Sequence, residues 1–257
     1  MDLLARTRIS IWEGGSLWIV DALPNTRPTP RSTDWHAHHA IQVTLSLGGW
    51  FQLDTGDSRL RDDAVAVAAD VSHCFQAEGL VAILFIEPES RAGRAIAGSL
   101  FTQGDLAVAP GHAIGDFPGR AASAWASLEP DALQFEELGR ALIQSLAEDG
   151  AADPPDRRVA RMLAFAADHI EEPLSLADVV AGSGLSASRL RHLFAQQTGL
   201  PFRTYLLWLR LTRAVEAMAG GDNLTEAAHQ AGFADSAHFS RTFRRMFGVA
   251  PVQLRMT

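Results

Sequence analysis

Three histidines in the first third of the chain carry side chains that can bind a metal ion or a polar ligand. His36 and His38 lie two positions apart, and His73 follows after the next hairpins. Residues two apart in an extended strand project from the same face, so His36 and His38 can reach one ligand together. Neutral imidazoles suit zinc, iron, nickel and copper. The spacing therefore indicates a polar site, with or without a divalent metal.

The histidines are similar to part of a cupin barrel, in which H-x-H-(x)3-E-(x)6-G and a later histidine surround a metal. The positions that fit this spacing are His36, His38, Gln42 and Gly49, with glutamine in the place of the cupin carboxylate. Three interpretations stay open. The histidines form a metal site, they line a metal-free pocket for a small-molecule effector, or they are incidental polar residues at a barrel rim.

If this region forms a pocket, we expect it to combine aromatic surface with a few polar groups. The predicted effector-binding residues are Trp35, His36, His38, Gln42, Trp50, His73 and Phe75. The single cysteine, Cys74, alternates with His73 and is expected to face away as a buried structural thiol, with a redox sensor as the alternative. A lone cysteine excludes an intramolecular disulfide and a CxxC site.

Two polar surfaces in the last third of the chain suit the reading of DNA. Helical periodicity separates an apolar face from a polar one, which is what a recognition helix needs. The polar residues are Ser188, Arg191 and His192 in one segment and Ser236, His238 and Arg241 in the other. The opposing apolar residues are Leu190, Leu193 and Phe194, and Phe239, Phe243 and Phe247.

An internal repeat positions these two surfaces. Residues 175–199 and 223–248 carry the same pattern, with Gly184 matching Gly232 and Phe194 matching Phe243. Each copy has an N-cap residue with an acid three positions later, a glycine for the turn, and a second cap before the next helix. The caps are Ser175 with Asp178, Asn223 with Glu226, and then Ser186 and Asp235. Two ordinary solvated hairpins are a poor explanation for this repetition.

The helix between the copies is predicted over residues 202–219. Eighteen residues span about 27 Å, and one turn of DNA spans about 34 Å. Such a helix can hold two recognition helices in successive major grooves. The residues predicted to pack it are Leu206, Leu209, Ala214, Val215 and Met218.

The second copy resembles the signature of the AraC/XylS family of bacterial regulators, a likeness that covers about 100 of the 257 residues. The motif A-x-x-x-G-F-x-D-x-x-x-F-x-R-x-F-(x)4-G-x-x-P is filled by Ala228, Gly232, Phe233, Asp235, Phe239, Arg241, Phe243, Gly248 and Pro251. The resemblance implies base contacts from the six polar residues above, and Arg244 and Arg245 are expected to contact phosphate. It also implies a cupin-like effector domain that usually lacks metal. The expected partners are double-stranded DNA, an effector, a second copy of the chain and, for an activator, RNA polymerase.

The chain is predicted to have two domains. Residues 1–152 form an all-β cupin-like barrel with following helices, and residues 153–257 form an all-α double helix-turn-helix domain. Short apolar runs predict strands over residues 16–21, 41–47, 50–54, 64–68 and 80–86. A helix over residues 131–147 carries a stripe of Leu133, Leu138, Leu142 and Leu146. That stripe is expected to form a homodimer surface or to pack within its own chain. Residues 148–155 are predicted to form the linker between the two domains.

Charge and motif content narrow the function further. The chain has a net charge of −8, with −10 on residues 1–152, +2 on residues 153–257 and +5 between Arg189 and Arg255. A basic C-terminal face suits DNA. A cytoplasmic protein without membrane contact is expected, because no secretory signal or run of ~20 apolar residues is seen. No nucleotide, hydrolase or zinc-protease motif appears, so a non-enzyme is predicted. The alternative is a metal-binding cupin enzyme or metal sensor fused to a DNA-binding module.

Overall fold

The computed structural model describes residues 3–24, 32–127, 131–148, 150, 152–153, 155–170, 174 and 186–257. Its strands are β1 (Ala5–Trp12), β2 (Gly15–Ala22), β3 (Ile41–Ser46), β4 (Trp50–Asp54), β5 (Arg59–Leu60), β6 (Ala64–Val67), β7 (Cys74–Ile86), β8 (Leu106–Val108) and β9 (Leu254–Met256). Its helices are α1 (Arg91–Leu100), α2 (Gly111–Ile114), α3 (Phe117–Ala126), α4 (Ala132–Ala147), α5 (Arg157–Asp168), α6 (Ala187–Thr198), α7 (Phe202–Ala219), α8 (Leu224–Gln230) and α9 (Ser236–Phe247).

Contacts between residues divide the chain into two compact units. The first unit comprises residues 1–152 together with residues 240–257, and the second comprises residues 153–239. One break falls between residues 152 and 153. The other falls between residues 239 and 240, where no boundary is predicted, so helix α9 contributes residues to both units.

The strands of the first unit form a sheet in the order β8-β6-β3-β7-β2-β1-β9, with β4 pairing with β5 and β7. The long strand β7 organises this sheet. Its second half pairs with both β2 and β3, and its first half pairs with β4. The two ends of the path, β8 and β9, do not pair with each other among the described strands. The described strands therefore form an N-terminal β-sheet that is not closed into a barrel, and the predicted cupin-like barrel is not confirmed.

The sheet separates an apolar core on one face from a cavity on the other, because side chains alternate along each strand. On β3, Ile41, Val43 and Leu45 belong to the core shared with α1–α4. Gln42 and Thr44 are also buried, but Gln42 lines the cavity. Strands β2 and β7 alternate likewise. Their core residues include Leu17, Ile19, Leu84 and Ile86, and their cavity residues include Trp18, Val20, Ile83 and Phe85.

Helix α4 begins after Asp131, whose carboxylate accepts a hydrogen bond from the Leu133 backbone N–H at 2.9 Å. Three leucines of the predicted stripe, Leu138, Leu142 and Leu146, are buried in the core of their own chain, and α4 contacts β1 and β2. Leu133 is 70% exposed. The stripe therefore packs within its own chain. The prediction of a homodimer surface built on all four leucines is wrong.

The second unit contains helices α5 to α8 and the start of α9. Helix α7 runs from Phe202 to Ala219 as predicted, and it contacts α6 and α8. Leu206, Ala214 and Val215 are buried, whereas Leu209 and Met218 are partly buried. The first helix and turn of the first repeat, with Ser175, Asp178 and Gly184, lie outside the described residues.

The prediction that residues 153–257 are all-α is wrong at the end of the chain. After a 3-10 turn at Pro251–Gln253, strand β9 pairs in parallel with β1, placing Ala5 beside Leu254 and Thr7 beside Met256. β1 pairs on its other side with β2, and its remaining edge accepts the alternating Leu254-Arg255-Met256 segment. No helix in the described ranges is long and apolar enough to span a membrane.

Candidate nucleic-acid interface and histidine cavity

The second predicted helix-turn-helix is described from its first cap to its last helix. Asn223 and Glu226 form a capping box that starts α8, which satisfies two backbone N–H groups that a helix start leaves open. Gly232 then turns the chain at φ +74°, a conformation that favours glycine. The Asp235 carboxylate accepts a hydrogen bond from the His238 backbone N–H at 2.6 Å and caps α9. These local features confirm the predicted caps and turn.

Helix α9 has one buried face and one exposed face. Phe239 and Phe243 are fully buried, and Phe247 is 8% exposed. Arg241 is exposed on the opposite side, while Ser236 and His238 are half-buried. The His238 ring packs edge-on against Phe233, with centroids 5.3 Å apart. An apolar anchor therefore orients the predicted reading face of this helix.

Helix α6 presents a second face of the same kind. The Ser186 hydroxyl accepts a hydrogen bond from the Arg189 backbone N–H, and Leu190 and Phe194 are fully buried. The predicted reading residues Ser188, Arg191 and His192 are all exposed.

The two arginines predicted to contact phosphate are placed differently. Arg244 Nε donates to Asp34 Oδ2 at 2.8 Å within the first unit, and both side chains are about half-exposed. Arg245 is exposed. An exposed ion pair contributes little stability, so Arg244 can exchange its carboxylate for a phosphate at small cost.

His36, His38 and His73 meet in the first unit. His36 and His73 exchange backbone hydrogen bonds of 3.0 and 2.8 Å, which places their rings 4.2 Å apart, and the His38 and His73 rings lie 5.0 Å apart. When one nitrogen is taken from each ring, the three nitrogens lie within 4.8 Å of one another. All three side chains are buried. The sequence spacing identified these residues, and strand pairing brings His73 to the other two.

The environment of the cluster favours neutral imidazoles. Burial and the neighbouring His73 lower the pKa of His36 to about 4. Burial, His73 and His36 together hold the pKa of His38 well below its usual range, and burial lowers the pKa of His73. A neutral imidazole keeps one nitrogen lone pair, which is the form that binds metals.

A cavity of about 120 Å³ lies beside the cluster. Its walls are mostly apolar, and its polar groups include His36, Gln42 and Thr33. Three lining residues come from the C-terminal segment and were not predicted: Phe247, Val249 and Leu254. The apolar-polar alternation at Leu254–Met256 is the only sequence signal that points to this segment as part of a sheet.

The predicted effector residues divide into two groups. His36, Gln42 and Phe75 line the cavity, and His38 and His73 lie against His36. Trp35 is 55% exposed and Trp50 is half-buried with the Arg61 guanidinium 4.6 Å above its ring. Neither tryptophan lines the cavity. In β4, Phe51 and Leu53 occupy the buried face in place of Trp50. Cys74 is a half-buried free thiol.

One family model and several known regulators match part of the chain. Residues 176–257 match the family described as a helix-turn-helix domain. The transcriptional activator RhaS of Citrobacter koseri is 36% identical over 122 residues, which is 47% of this chain and 44% of the relative. RhaS of Klebsiella pneumoniae is 37% identical over 112 residues, which is 43% of this chain and 40% of the relative. The match thus spans under half the length of these relatives.

Solved structures match nearly the whole chain at low identity. An apo form of ToxT from Vibrio cholerae is 12% identical with a TM-score of 0.62, covering 95% of this chain and 97% of that chain. ToxT from Vibrio cholerae with a bound unsaturated fatty acid is 16% identical with a TM-score of 0.57, covering 93% and 94%. At such identity the likeness establishes the fold, a β-sheet domain with a helical helix-turn-helix domain.

Proposed function

We propose that the chain is a DNA-binding transcription regulator of the AraC/XylS family, which reads a specific operator and responds to a small-molecule effector. In this proposal the exposed faces of α6 and α9 contact base edges in the major groove. Arg245, and Arg244 once released from Asp34, contact phosphate. The chain performs no catalysis in this role, acts in the cytoplasm and pairs with a second copy on DNA.

The observation that carries the DNA-binding proposal is the arrangement of α9. A capped helix follows a glycine turn, buries three phenylalanines and exposes Arg241 on the other side. Arginine can donate two parallel hydrogen bonds to guanine O6 and N7. Because RhaS is named as an activator, we extend the proposal to activation through contact with RNA polymerase.

The cavity supports the effector proposal. Its aromatic and aliphatic walls, together with polar groups near His36 and Gln42, suit a compact molecule with an apolar body and a polar end. ToxT has been solved with an unsaturated fatty acid, a molecule of that description. Effector binding shifts DNA binding only if the effector binds one arrangement of the chain more tightly than another.

The test of operator reading is selection of random duplex DNA by the purified full chain at near-physiological salt, followed by sequencing. We expect enrichment of two short blocks about one helical turn apart. Equal recovery of all sequences, with and without candidate apolar effectors, would contradict sequence-specific reading.

A single substitution separates base reading from general affinity. Arg241→Ala is expected to lose about 1–3 kcal/mol of binding to the selected site while weak binding to random DNA persists. Fluorescence anisotropy at fixed salt measures both affinities. Arg213→Ala is the matched control, since Arg213 is an exposed arginine paired with Glu216 on α7. Equal losses on selected and random DNA would remove Arg241 from the set of base-reading residues.

A further inference from the structure

We propose that His36, His38 and His73 form a binding site for one divalent transition-metal ion of the zinc class. This inference goes beyond regulation by an organic effector and does not depend on DNA binding. The ligand nitrogens of a tetrahedral zinc site lie about 2.0–2.1 Å from the metal and so roughly 3.4 Å apart. The three candidate nitrogens already lie within 4.8 Å of one another, so small rotations of the rings bring them to one ion.

The hydrogen bonds at the other nitrogen of each ring support this assignment. Nδ1 of each histidine faces a backbone carbonyl two residues away. The distances are 2.8 Å to the Asp34 oxygen for His36, 3.1 Å to the Ala40 oxygen for His38, and 2.9 Å to the Val71 oxygen for His73. A carbonyl accepts only from an N–H, so this contact places the proton on Nδ1 and the lone pair on Nε2. Metal-binding histidines are held in this way.

His73 Nε2 gives the sharpest indication. It is buried and has no hydrogen-bond partner among the residues that the structure describes. A buried acceptor without a partner loses the hydrogen bonds that it makes with water in the unfolded chain, and such groups call for an explanation. A metal ion at this nitrogen supplies the missing partner.

Gln42 supplies a fourth candidate ligand atom for the ion, next to the cavity. Its Oε1 lies 3.0 Å from His38 Nε2, and its Nε2 donates to Thr44 Oγ1 at 2.9 Å. A neutral His38 has one N–H for two oxygen acceptors, those of Ala40 and Gln42. A cation between His38 Nε2 and Gln42 Oε1 satisfies both atoms, because each then donates a lone pair to the ion.

The chemistry of the donors selects the class of metal. Three neutral imidazoles and an amide oxygen carry no charge, and no carboxylate belongs to the cluster that the described residues form. Imidazole suits zinc, copper and nickel, whereas magnesium and calcium prefer carboxylate and carbonyl oxygens. The bound ion would keep its full charge, and His36 and Gln42 place it at the wall of the cavity.

The experiment uses the full chain, stripped with a chelator and dialysed. Isothermal titration with Zn²⁺ is expected to give one equivalent bound, and Co²⁺ is expected to give the visible absorption of a tetrahedral site. His36→Ala and His73→Ala should each weaken Zn²⁺ binding by at least about 100-fold. Substitution of a residue that only supports a metal ligand typically weakens metal affinity by about 10–100-fold, so a larger loss indicates a direct ligand. His229→Ala, an exposed histidine on α8, should bind like the wild type.

Thermal unfolding keeps the test informative when a variant folds poorly. Zn²⁺ should raise the Tm of the wild type and of His229→Ala, and leave that of a folded His36→Gln variant unchanged. Binding of less than a tenth of an equivalent by the wild type, or equal binding by the His36 and His73 variants, would overturn the site. Binding to the operator that was enriched from random DNA is measured on the same samples. This measurement distinguishes loss of metal binding from loss of DNA binding.

Discussion

Gly248 joins the last turn of α9 to the C-terminal segment at a position with no room for a side chain. Its φ is +70°, in the left-handed region that costs an L-residue about 1–2 kcal/mol. A Cβ there would lie 2.5 Å from the Asp34 carbonyl oxygen and 2.6 Å from His36 Nδ1. The Gly248 carbonyl also accepts a hydrogen bond from the Asp34 backbone N–H at 2.8 Å. Gly248, a glycine of the motif noted in the sequence, thus lies directly against His36 of the histidine cluster.

Gly248→Ala is expected to lower the free energy of unfolding by more than about 2 kcal/mol, because backbone strain and a clash with a carbonyl act together. Gly98→Ala is the control. Gly98 is exposed in α1 with open space around it, so alanine there should stabilise by roughly 0.5–1 kcal/mol. Urea unfolding measures both. A Gly248→Ala protein as stable as the wild type would show that Gly248 is not packed against Asp34.

His39 adjoins the cluster in sequence but takes part in a different network. Its two ring nitrogens donate to Asp70 Oδ2 at 2.9 Å and Glu89 Oε2 at 3.2 Å. Burial lowers the pKa of His39, but these two hydrogen bonds outweigh burial and raise the pKa to about 9. Burial and the nearby Glu89 raise the pKa of Glu87 to about 8. Both groups hold protons in the folded chain that the unfolded chain releases.

The stability that these two groups contribute should therefore fall as pH rises. The contribution of His39 is fully present below about pH 6.5 and is lost as pH rises to about 9, by up to roughly 1.4 kcal/mol per pH unit for one proton. Glu87 acts with the same sign from about 4.5 to about 8, so the slope between pH 8 and 9 comes mainly from His39. His39→Gln should flatten the free energy of unfolding in that interval. An unchanged slope would contradict a charged His39.

Among the elements, α4 shows how one amphipathic helix is used within its own chain. Gly139 lets α4 approach β1, because a Cβ there would lie 2.2 Å from the Trp12 ring. Leu138, Leu142 and Leu146 fill the core on that side, and Leu133 stays exposed at the start of the helix. The apolar face of α4 therefore stabilises the β-sheet unit.

Leu142→Ala is expected to lower the free energy of unfolding by about 2–5 kcal/mol, the range for a buried leucine that leaves a cavity. Leu133→Ala should change it by less than about 0.5 kcal/mol, as for most exposed positions. The two leucines share one helix, so helix propensity cancels between them. Chemical unfolding and light scattering are measured together. A change of oligomeric state with Leu142→Ala at unchanged stability would restore the dimer interpretation of the stripe.

At the scale of the whole molecule, the end of the chain belongs to the unit that begins it. The Leu4 backbone N–H donates to the Gln253 carbonyl at 2.8 Å, and the Thr257 N–H donates to the Thr7 carbonyl at 2.9 Å. Leu254 and Phe247 line the cavity beside residues of β1 and β2. The segment that follows α9 is thus part of the wall of the effector cavity proposed above.

Leu254→Ala should lower protection from hydrogen exchange in β1 and β2 and leave α7 and α8 unchanged. The reason is that Leu254 packs in the first unit, so its loss destabilises that unit by about 1–2 kcal/mol. Val252→Ala is the control, because Val252 is 58% exposed. Exchange with mass spectrometry gives protection by segment. Loss of protection confined to α7 and α8 would contradict the assignment of β9 to the sheet.

What the sequence alone determined lies within short stretches of chain. The capping box at Asn223 and Glu226, the turn at Gly232 and the extent of α7 are all correctly predicted. Each depends on contacts between residues a few positions apart, so the types of nearby residues are enough to predict it. The H-x-H spacing identified His36 and His38 for the same reason.

Only the tertiary structure decided which surfaces those elements share. Thr7 and Met256 meet across a ladder between the two ends of the chain, and His36 meets His73 through an isolated bridge. The use of the α4 stripe follows from the packing of α4 on β1 and β2, and Trp50 is kept from the cavity by the side-chain alternation of β4. Pairing depends on the register and edges of strands far apart in sequence. Local residue patterns do not specify these partners, so the cavity and its C-terminal wall emerge only from the folded chain.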